Sequence, residues 1–149
     1  MEKRLVLLAD DNEATCTLIT ALLQAEFVVD VASDGGEAIE KLKSRQYAAI
    51  LLDLLMPVVD GYAVLDFLKE QRPDLLRRVI VVTASISSRY VQRVKEYEVF
   101  GVIPKPFEVD ALHAAVHQVA GHAGDAPPIR GPLLSSGMIL LLGELLKRV

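Results

Sequence analysis

Apolar and polar residues alternate along the first 120 positions in two different rhythms. Short, mostly apolar runs of strand length are followed by longer segments in which apolar residues recur every three or four positions, as on one face of a helix. The strand-length runs are Leu5–Ala9, Phe27–Val31, Ala48–Leu52, Val79–Val82 and Val99–Ile103. Because such runs are typical of parallel strands covered on both faces, the pattern predicts five parallel strands separated by helices.

The helical segments begin near residues that commonly cap helices. Asn12 is a predicted N-cap, and the helix after it carries one apolar face. That face is formed by Ala14, Leu18, Leu22 and Ala25. The apolar positions of the later helices are Ala38 and Leu42 after the turn Asp34-Gly35-Gly36, Val64 and Leu68 after Gly61, Val91 and Val94 after Ser87-Ser88, and finally Leu112, Val116 and Val119. The sequence thus predicts one helix after each strand.

This alternation predicts an α/β fold, a doubly wound (βα)5 parallel sheet with right-handed crossovers. The strand order 2-1-3-4-5 is expected, and it makes the first and third strands neighbours. In such sheets ligands bind beyond the carboxyl ends of the strands. The residues that directly follow the strands are therefore the candidates for chemistry.

Glycine and proline divide the chain into a domain and an extension. Six of the twelve residues in 121–132 are Gly or Pro, a density that interrupts helices and strands and predicts a linker. Residues 1–120 form the predicted domain, and residues 133–149 form an apolar tail that fits a short helix. An apolar helix is expected to be buried on its own domain, on a second copy or on a partner, unless the segment is the remnant of a longer protein's linker.

The composition excludes several function classes. A chain of 149 residues with 52% hydrophobic and 24% charged residues is typical of a globular domain. Its net charge of −4 offers no basic excess for phosphate backbones, so direct nucleic-acid binding is not expected. The single cysteine, Cys16, allows no intramolecular disulfide, and neither a signal peptide nor a membrane-spanning apolar run is evident. A cytoplasmic location is expected.

Five chemically active side chains stand at the predicted strand ends. They are Asp10 and Asp11 at the first strand, Asp53 at the third, Thr83 at the fourth and Lys105 at the fifth. A lone acidic residue in such a place is commonly a turn residue, but five residues at matching ends point to a common site. Three carboxylates in one cleft repel one another unless a proton or a cation is bound, and hard oxygen ligands suit Mg²⁺.

These side chains belong to longer motifs. The motifs are Asp10-Asp11, Asp53-Leu54-Leu55-Met56-Pro57, Asp60-Gly61, Thr83-Ala84 and Lys105-Pro106-Phe107. In this order they resemble the signature of CheY-like receiver domains, the phosphoacceptor domains of two-component response regulators. The resemblance covers residues 4 to about 120 and implies a flavodoxin-like fold.

The resemblance implies a role for each residue of the site. Asp53 would be the phosphoacceptor and would attack a phosphohistidine in line, forming an acyl phosphate. Lys105 would pair with one phosphoryl oxygen, and Thr83 would donate a hydrogen bond to another. The Lys105-Pro106 bond is a candidate cis bond. The domain would catalyse its own phosphorylation and hydrolysis without being a turnover enzyme.

The resemblance also implies a metal site and partners. Asp11, Asp53 and the backbone carbonyl of Leu55 would bind Mg²⁺ directly. Asp10 would bind it through water. The implied phosphodonor is a sensor histidine kinase or a histidine phosphotransfer protein, and the output would pass through contact with another protein. A homodimer through the fourth and fifth helices or through the tail is also possible.

Two positions depart from the family pattern and keep other functions open. Val102 stands where receivers that couple the threonine to an aromatic ring carry Tyr or Phe. Leu55, two residues past Asp53, would stand beside the attacking water and cannot orient it. The alternative is a receiver-fold scaffold or dimerisation module that works without phosphorylation. A third alternative, a phosphohydrolase with an aspartate nucleophile, requires an acidic residue at the position that Leu55 occupies.

Other clusters favour ordinary structural roles. His113 and His117 have zinc-ligand spacing, but no third ligand is evident, so the sequence favours an ordinary surface helix over a metal site. The basic residues of the fourth helix, with Tyr90 among them, are interpreted as a solvated face rather than a docking face. These residues are Arg89, Arg93 and Lys95.

Overall fold

A computed structural model describes residues 3–84 and 87–120 of the chain. The predicted linker 121–132 and the predicted tail 133–149 lie outside the described residues, so both remain sequence-based expectations. Within the described part, no helix has both the length and the apolar character that crossing a bilayer requires.

Strands and helices alternate as the sequence predicts. The strands are β1 Arg4–Ala9, β2 Phe27–Ala32, β3 Ala49–Leu52, β4 Val79–Thr83 and β5 Gly101–Pro104. The helices are α1 Glu13–Leu23, α2 Gly35–Ser44, α3 Gly61–Gln71, α4 Ser88–Lys95 and α5 Val109–Ala120. A 3₁₀ helix, Pro73–Arg78, follows α3 and was not expected from the sequence.

All strand pairs are parallel and the sheet has the order β2-β1-β3-β4-β5, which confirms the predicted topology. In the pair β1·β3, Ala9 lies opposite Leu52. The register continues past both strands, because the Asp53 amide donates a hydrogen bond of 2.9 Å to the Ala9 carbonyl. The residues that follow β1 and β3 therefore emerge side by side.

The core has two layers, one on each face of the sheet. Successive strand residues point to opposite faces. Thus Leu7 packs with residues of α2, α3 and α4, whereas Leu8 packs with residues of α1 and α5. Coverage on both faces explains why β3 and β4 are buried along their whole length.

The apolar face predicted for α1 is wrong by about one position. Leu18 is 47% exposed and Ala14 is exposed, whereas Ile19 and Leu23 are almost fully buried against the sheet. Apolar residues form two adjacent stripes on this helix, and local spacing does not rank them. Contact with the sheet and α5 selects the stripe with the larger Ile and Leu side chains, because it buries more apolar area.

The strand ends lie within one residue of the prediction except at the start of β5. β5 begins at Gly101, although Val99 and Phe100 are already buried, and the Phe100 amide bonds to the Val79 carbonyl at 2.9 Å. At the sheet edge, β2 extends to Ala32 and is only partly covered. The start of β5 was predicted two residues early because an apolar run marks burial rather than the start of a strand.

Helix caps fix the loops at the carboxyl edge of the sheet. The side chain of Asn12, the predicted cap of α1, accepts a hydrogen bond from the Thr15 amide at 2.9 Å. Asp34 and Asp60 cap α2 and α3 in the same way. Each cap satisfies an amide that the first helical turn leaves without a partner, so these loops leave the strands along defined paths.

Candidate functional site

The candidate site lies at the carboxyl edge of the sheet, where β1 and β3 end. Asp10 follows β1 and Asp53 follows β3, and the shared register of these strands places them next to each other. Asp11 extends from the same edge and is exposed. Carboxylate oxygens of these three residues all lie within 4.8 Å of one another. The structure therefore brings together the acidic cluster that the strand ends predict.

Two of these carboxylates are buried and anchored by backbone amides. Asp10 is 2% exposed, and its Oδ1 accepts a hydrogen bond of 2.9 Å from the Asn12 amide. Asp53 is 7% exposed, and its Oδ1 accepts a bond of 3.2 Å from the Leu55 amide. Each carboxylate keeps its second oxygen for the interior of the site.

Lys105 provides the positive charge that a buried pair of carboxylates requires. Its Nζ lies 2.6 Å from Oδ2 of Asp10 and 3.1 Å from Oδ2 of Asp53. Burial by itself lowers the pKa of Lys105, but the hydrogen bonds that its ammonium donates to the two carboxylates outweigh burial and raise that pKa above its usual value. Lys105 is therefore a fixed cation at neutral pH.

The turn that carries Lys105 is tied to the neighbouring strand. The Lys105 amide donates a hydrogen bond of 2.9 Å to the carbonyl of Thr83, the last residue of β4. The bond between Lys105 and Pro106 is cis, as the sequence predicts. Thr83 is 1% exposed and belongs to the buried end of β4. The sequence-predicted residues of β4 and β5 thus reach the same edge as the aspartates.

The loop after β3 leaves one side of the site open. Leu55 is 51% exposed and Val58 is 98% exposed. The loop that follows Asp53 therefore presents two apolar side chains to solvent. An apolar side chain cannot hold a water molecule by hydrogen bonds, so the Leu55 side chain offers solvent no hydrogen-bonding group at this position.

Gly61 sets the shape of the same loop, a steric role that its motif did not reveal. A Cβ on Gly61 would lie 2.4 Å from the Asp53 carbonyl oxygen and 2.7 Å from Cα of Leu54. The Gly61 amide bonds to the Leu54 carbonyl at 3.0 Å. The start of α3 therefore approaches the backbone of Asp53 more closely than a residue with a side chain allows.

The donor set fits a hard divalent cation. Three carboxylates within 4.8 Å supply oxygen ligands and negative charge, which Mg²⁺ prefers, and they include none of the nitrogen or sulfur ligands that softer metals prefer. Asp11 is the exposed member of the three and lies where an ion enters from solvent.

Cys16 lies beside this site, and its surroundings favour the protonated thiol. Its Sγ lies 3.4 Å from the Asp10 carbonyl oxygen. Burial, followed by the charge of Asp10, raises the pKa of the Cys16 thiol to about 11. The thiolate, which is the reactive form, is therefore scarce at neutral pH.

The basic residues of α4 are exposed, and one of them also contacts an aromatic ring. The guanidinium carbon of Arg93 lies 3.7 Å from the centre of the Tyr62 ring, and the Tyr90 ring stacks on Tyr62 with 6.1 Å between centres. Arg89 and Lys95 are exposed, as a solvated face predicts. Arg93 is exposed as well, and its guanidinium also lies over an aromatic ring of α3.

The aromatic residues near Val102 are engaged elsewhere. Val102 is 4% exposed and packs in the α2–α3–α4 layer. The Tyr97 hydroxyl donates a hydrogen bond of 2.5 Å to Asp66 on α3, and Phe100 packs in the opposite layer with α1 and α5. Neither ring stands in for an aromatic residue at position 102.

Comparisons with known proteins agree with this geometry. The response regulator receiver domain family matches the chain over residues 6–117. The receiver domain of the Francisella response regulator 1452 has a similar structure, with a TM-score of 0.73 and 26% identity, over 81% of this chain and 99% of that one. The receiver domain of the sensor histidine kinase PA1611 from Pseudomonas aeruginosa PAO1 is similar at a TM-score of 0.72 and 26% identity, over 80% and 99% of the two chains. That domain was solved with a magnesium ion coordinated in its active-site cleft.

A curated relative is much longer than this chain. The DNA-binding transcriptional regulator NtrC of Escherichia coli K12 is 29% identical over 135 residues. The match takes in 91% of this chain but only 28% of NtrC.

Proposed function

Because the chain belongs to the response regulator receiver domain family of two-component signalling, we propose that it accepts a phosphoryl group from a phosphohistidine onto Asp53 in the presence of Mg²⁺. The observation that carries the proposal is the convergence at one sheet edge of three aspartates and the ammonium of Lys105. Receiver domains are signalling modules, so the product of this chemistry is a signal carried by Asp53 rather than a released metabolite.

Asp53 is the proposed nucleophile because a backbone amide holds one of its carboxylate oxygens while the other faces Lys105 inside the site. A carboxylate oxygen of Asp53 forms a bond to phosphorus while the bond from phosphorus to the donor's imidazole nitrogen breaks, and the electron pair leaves with the imidazole. Lys105, already 3.1 Å from Oδ2 of Asp53, is placed to pair with a phosphoryl oxygen during transfer. Thr83, at the end of β4, is proposed to donate a hydrogen bond to another phosphoryl oxygen.

The acidic cluster is the proposed Mg²⁺ site. Asp11, Asp53 and the backbone carbonyl of Leu55 would bind the ion directly, and Asp10 would act through water. When bound, Mg²⁺ supplies positive charge against the phosphoryl oxygens. On the side of the cleft away from solvent, the ammonium of Lys105 offsets the negative charge of Asp10.

Hydrolysis of the acyl phosphate is the proposed end of the cycle. The chain would then catalyse only its own phosphorylation and dephosphorylation. Leu55 stands beside Asp53 and is half exposed, so water reaches this position without a side chain that orients it.

The proposed phosphodonor is a sensor histidine kinase or a histidine phosphotransfer protein. Output is proposed to pass by protein contact in the cytoplasm, with a homodimer through α4 and α5 or the tail as one route. Residues 1–120 are the proposed receiver, 121–132 its linker and 133–149 its apolar tail.

Intact-mass spectrometry after incubation with acetyl phosphate tests the proposal. The expected result is a gain of one phosphoryl group that requires Mg²⁺ and disappears in Asp53→Ala. Asp74→Ala, at an exposed carboxylate in the 3₁₀ helix, is the matched control and should be phosphorylated like the wild type.

A phosphorylation-independent scaffold is the second candidate, and the buried Val102 at the aromatic position favours it. No gain of mass, or a gain that persists in Asp53→Ala, would transfer support to the scaffold.

A further inference from the structure

A second cluster of ligand-type side chains lies far from Asp53. His113 Nε2 is 2.9 Å from Oε1 of Glu26, and His117 Nε2 contacts Oε2 of the same carboxylate. One nitrogen from each ring and one carboxylate oxygen all lie within 4.8 Å of one another. The two imidazole rings have their centres 4.6 Å apart. These three residues are called the His2Glu cluster below.

The sequence gives no sign of Glu26 as a third ligand, because Glu26 is remote from both histidines in the chain. His113 and His117 stand one turn apart on α5, while Glu26 precedes β2 and lies 87 positions before His113. Packing of α5 against the sheet beside the α1–β2 junction brings the carboxylate to the histidines. The sequence-based argument against a metal, that no third ligand is evident, is therefore overturned by the structure.

We propose that Glu26, His113 and His117 bind a borderline transition-metal ion, Zn²⁺ being the best match. Two imidazole nitrogens and one carboxylate oxygen are a ligand set that zinc sites use, with water in the remaining position. The same set is poor for Mg²⁺, which prefers oxygen ligands only. The His2Glu cluster and the aspartate cluster would therefore select different metals.

The cluster is assembled before any ion arrives. The ring of His117 packs edge-on against Phe27, with 5.5 Å between centres, and this contact limits its rotation. The side chains are 40%, 41% and 44% exposed, which leaves the ligand atoms open to an ion from solvent.

The location separates this site from the phosphorylation chemistry. Glu26 lies at the amino end of β2, whereas Asp10 and Asp53 follow the carboxyl ends of β1 and β3. Because the strands are parallel, the two clusters occupy opposite edges of the sheet. A bound ion would join α5 to the α1–β2 junction, and it would do so whether or not Asp53 is phosphorylated.

Calorimetric titration of the full chain with ZnCl₂ in excess MgCl₂ tests the proposal. The excess Mg²⁺ is added to fill the proposed site at the aspartate cluster, so that Zn²⁺ does not bind there. One equivalent of Zn²⁺ should bind. Glu26→Gln and His117→Gln should each weaken binding by at least about tenfold. Loss of a residue that only supports a metal ligand already costs about tenfold in affinity, and loss of the ligand itself should cost no less. His122→Gln removes the remaining histidine of the chain and is the matched control, with unchanged affinity expected.

An NMR measurement on the wild-type protein tests the same proposal without depending on whether a variant folds. The chain has three histidines, so its imidazole signals in a proton–nitrogen NMR spectrum are few and assignable. Zn²⁺, but not Mg²⁺, should shift the signals of His113 and His117. Absence of Zn²⁺ binding, shifts confined to His122, or equal losses of affinity in His117→Gln and His122→Gln would each overturn the proposal.

Discussion

The ammonium of Lys105 lies 2.6 Å from Oδ2 of Asp10, although the two residues are 95 positions apart in the chain. Both are poorly accessible, with side chains 17% and 2% exposed. Lys105 also reaches Asp53, so a single cation compensates two buried carboxylates. The ammonium of Lys105 therefore competes with any cation that the aspartates bind, because both need the same negative charge.

Lys105→Met should destabilise the protein in the absence of Mg²⁺ by about 3 kcal/mol, because breaking a buried ion pair leaves Asp10 uncompensated. Mg²⁺ should then restore stability, and it should raise the free energy of unfolding more in this variant than in the wild type. Urea denaturation with and without MgCl₂ measures both effects. Lys95→Met, at an exposed lysine of α4, is the control, and an equal Mg²⁺ effect in all three proteins would contradict the prediction.

Leu55→Asn should shorten the lifetime of the phosphorylated protein. An amide at this half-exposed position can hold the attacking water, and a net hydrogen bond of about 1 kcal/mol corresponds to a rate increase of roughly fivefold. The decay of the phosphorylated mass after removal of acetyl phosphate gives the rate. Leu18→Asn makes the same change at a similarly exposed leucine of α1 and should leave the lifetime unaltered. Identical lifetimes in Leu55→Asn and the wild type would refute the role of this residue.

Gly61→Ala should destabilise the domain by about 1–3 kcal/mol, since the added methyl group overlaps the backbone of Asp53 and Leu54 and the start of α3 must move. Phosphorylation of Asp53 should slow in parallel, because the same backbone carries the acceptor. Denaturation and the mass assay follow the two effects.

Gly36→Ala is the matched control for this prediction, because a Cβ there meets only the Asp34 side chain, at 3.2 Å, and Val59 at 3.8 Å. It should cost little stability, since alanine favours the helix by about 1 kcal/mol over glycine. Equal stability losses at the two glycines would show that the close approach to Asp53 is unimportant.

Asp30→Asn should make stability less dependent on pH in the acidic range. Asp30 accepts hydrogen bonds from Lys41 at 2.5 Å, from Tyr47 at 2.6 Å and from Arg45. Burial alone would raise the pKa of Asp30, but these bonds lower it below the ordinary value of 3.8. A lowered pKa in the folded protein stabilises it above pH 3.8, and this contribution is lost as the pH falls through the folded pKa.

The difference in unfolding free energy between wild type and Asp30→Asn should therefore be about 1–2 kcal/mol at neutral pH and shrink below pH 3.8. Denaturant titrations across this range measure it. Asp74→Asn removes the same charge from a carboxylate that is 70% exposed and should show a small difference that does not change with pH. A difference for Asp30→Asn that grows on acidification would reverse the assigned sign.

The order of strands and helices and the location of the site followed from the sequence alone. Continuous apolar runs predicted a parallel sheet, and a parallel sheet places every strand's carboxyl end at one edge. Asp10, Asp53 and Lys105 were therefore predicted to meet before any contact was known, and their oxygen and nitrogen atoms do lie within hydrogen-bond distance. Pattern and topology together are enough for such a prediction, because the strand direction fixes where each end lies.

Only the tertiary structure decided which apolar stripe of a helix is buried and which distant residues come together. On α1, Leu18 and Ile19 are both apolar, and packing against the sheet alone determines that Ile19 is buried. Glu26 joins His113 and His117 because α5 packs beside the α1–β2 junction, which no local spacing encodes. The periodicity of a segment describes its own faces, whereas the neighbour that each face meets depends on contacts between residues distant in the chain.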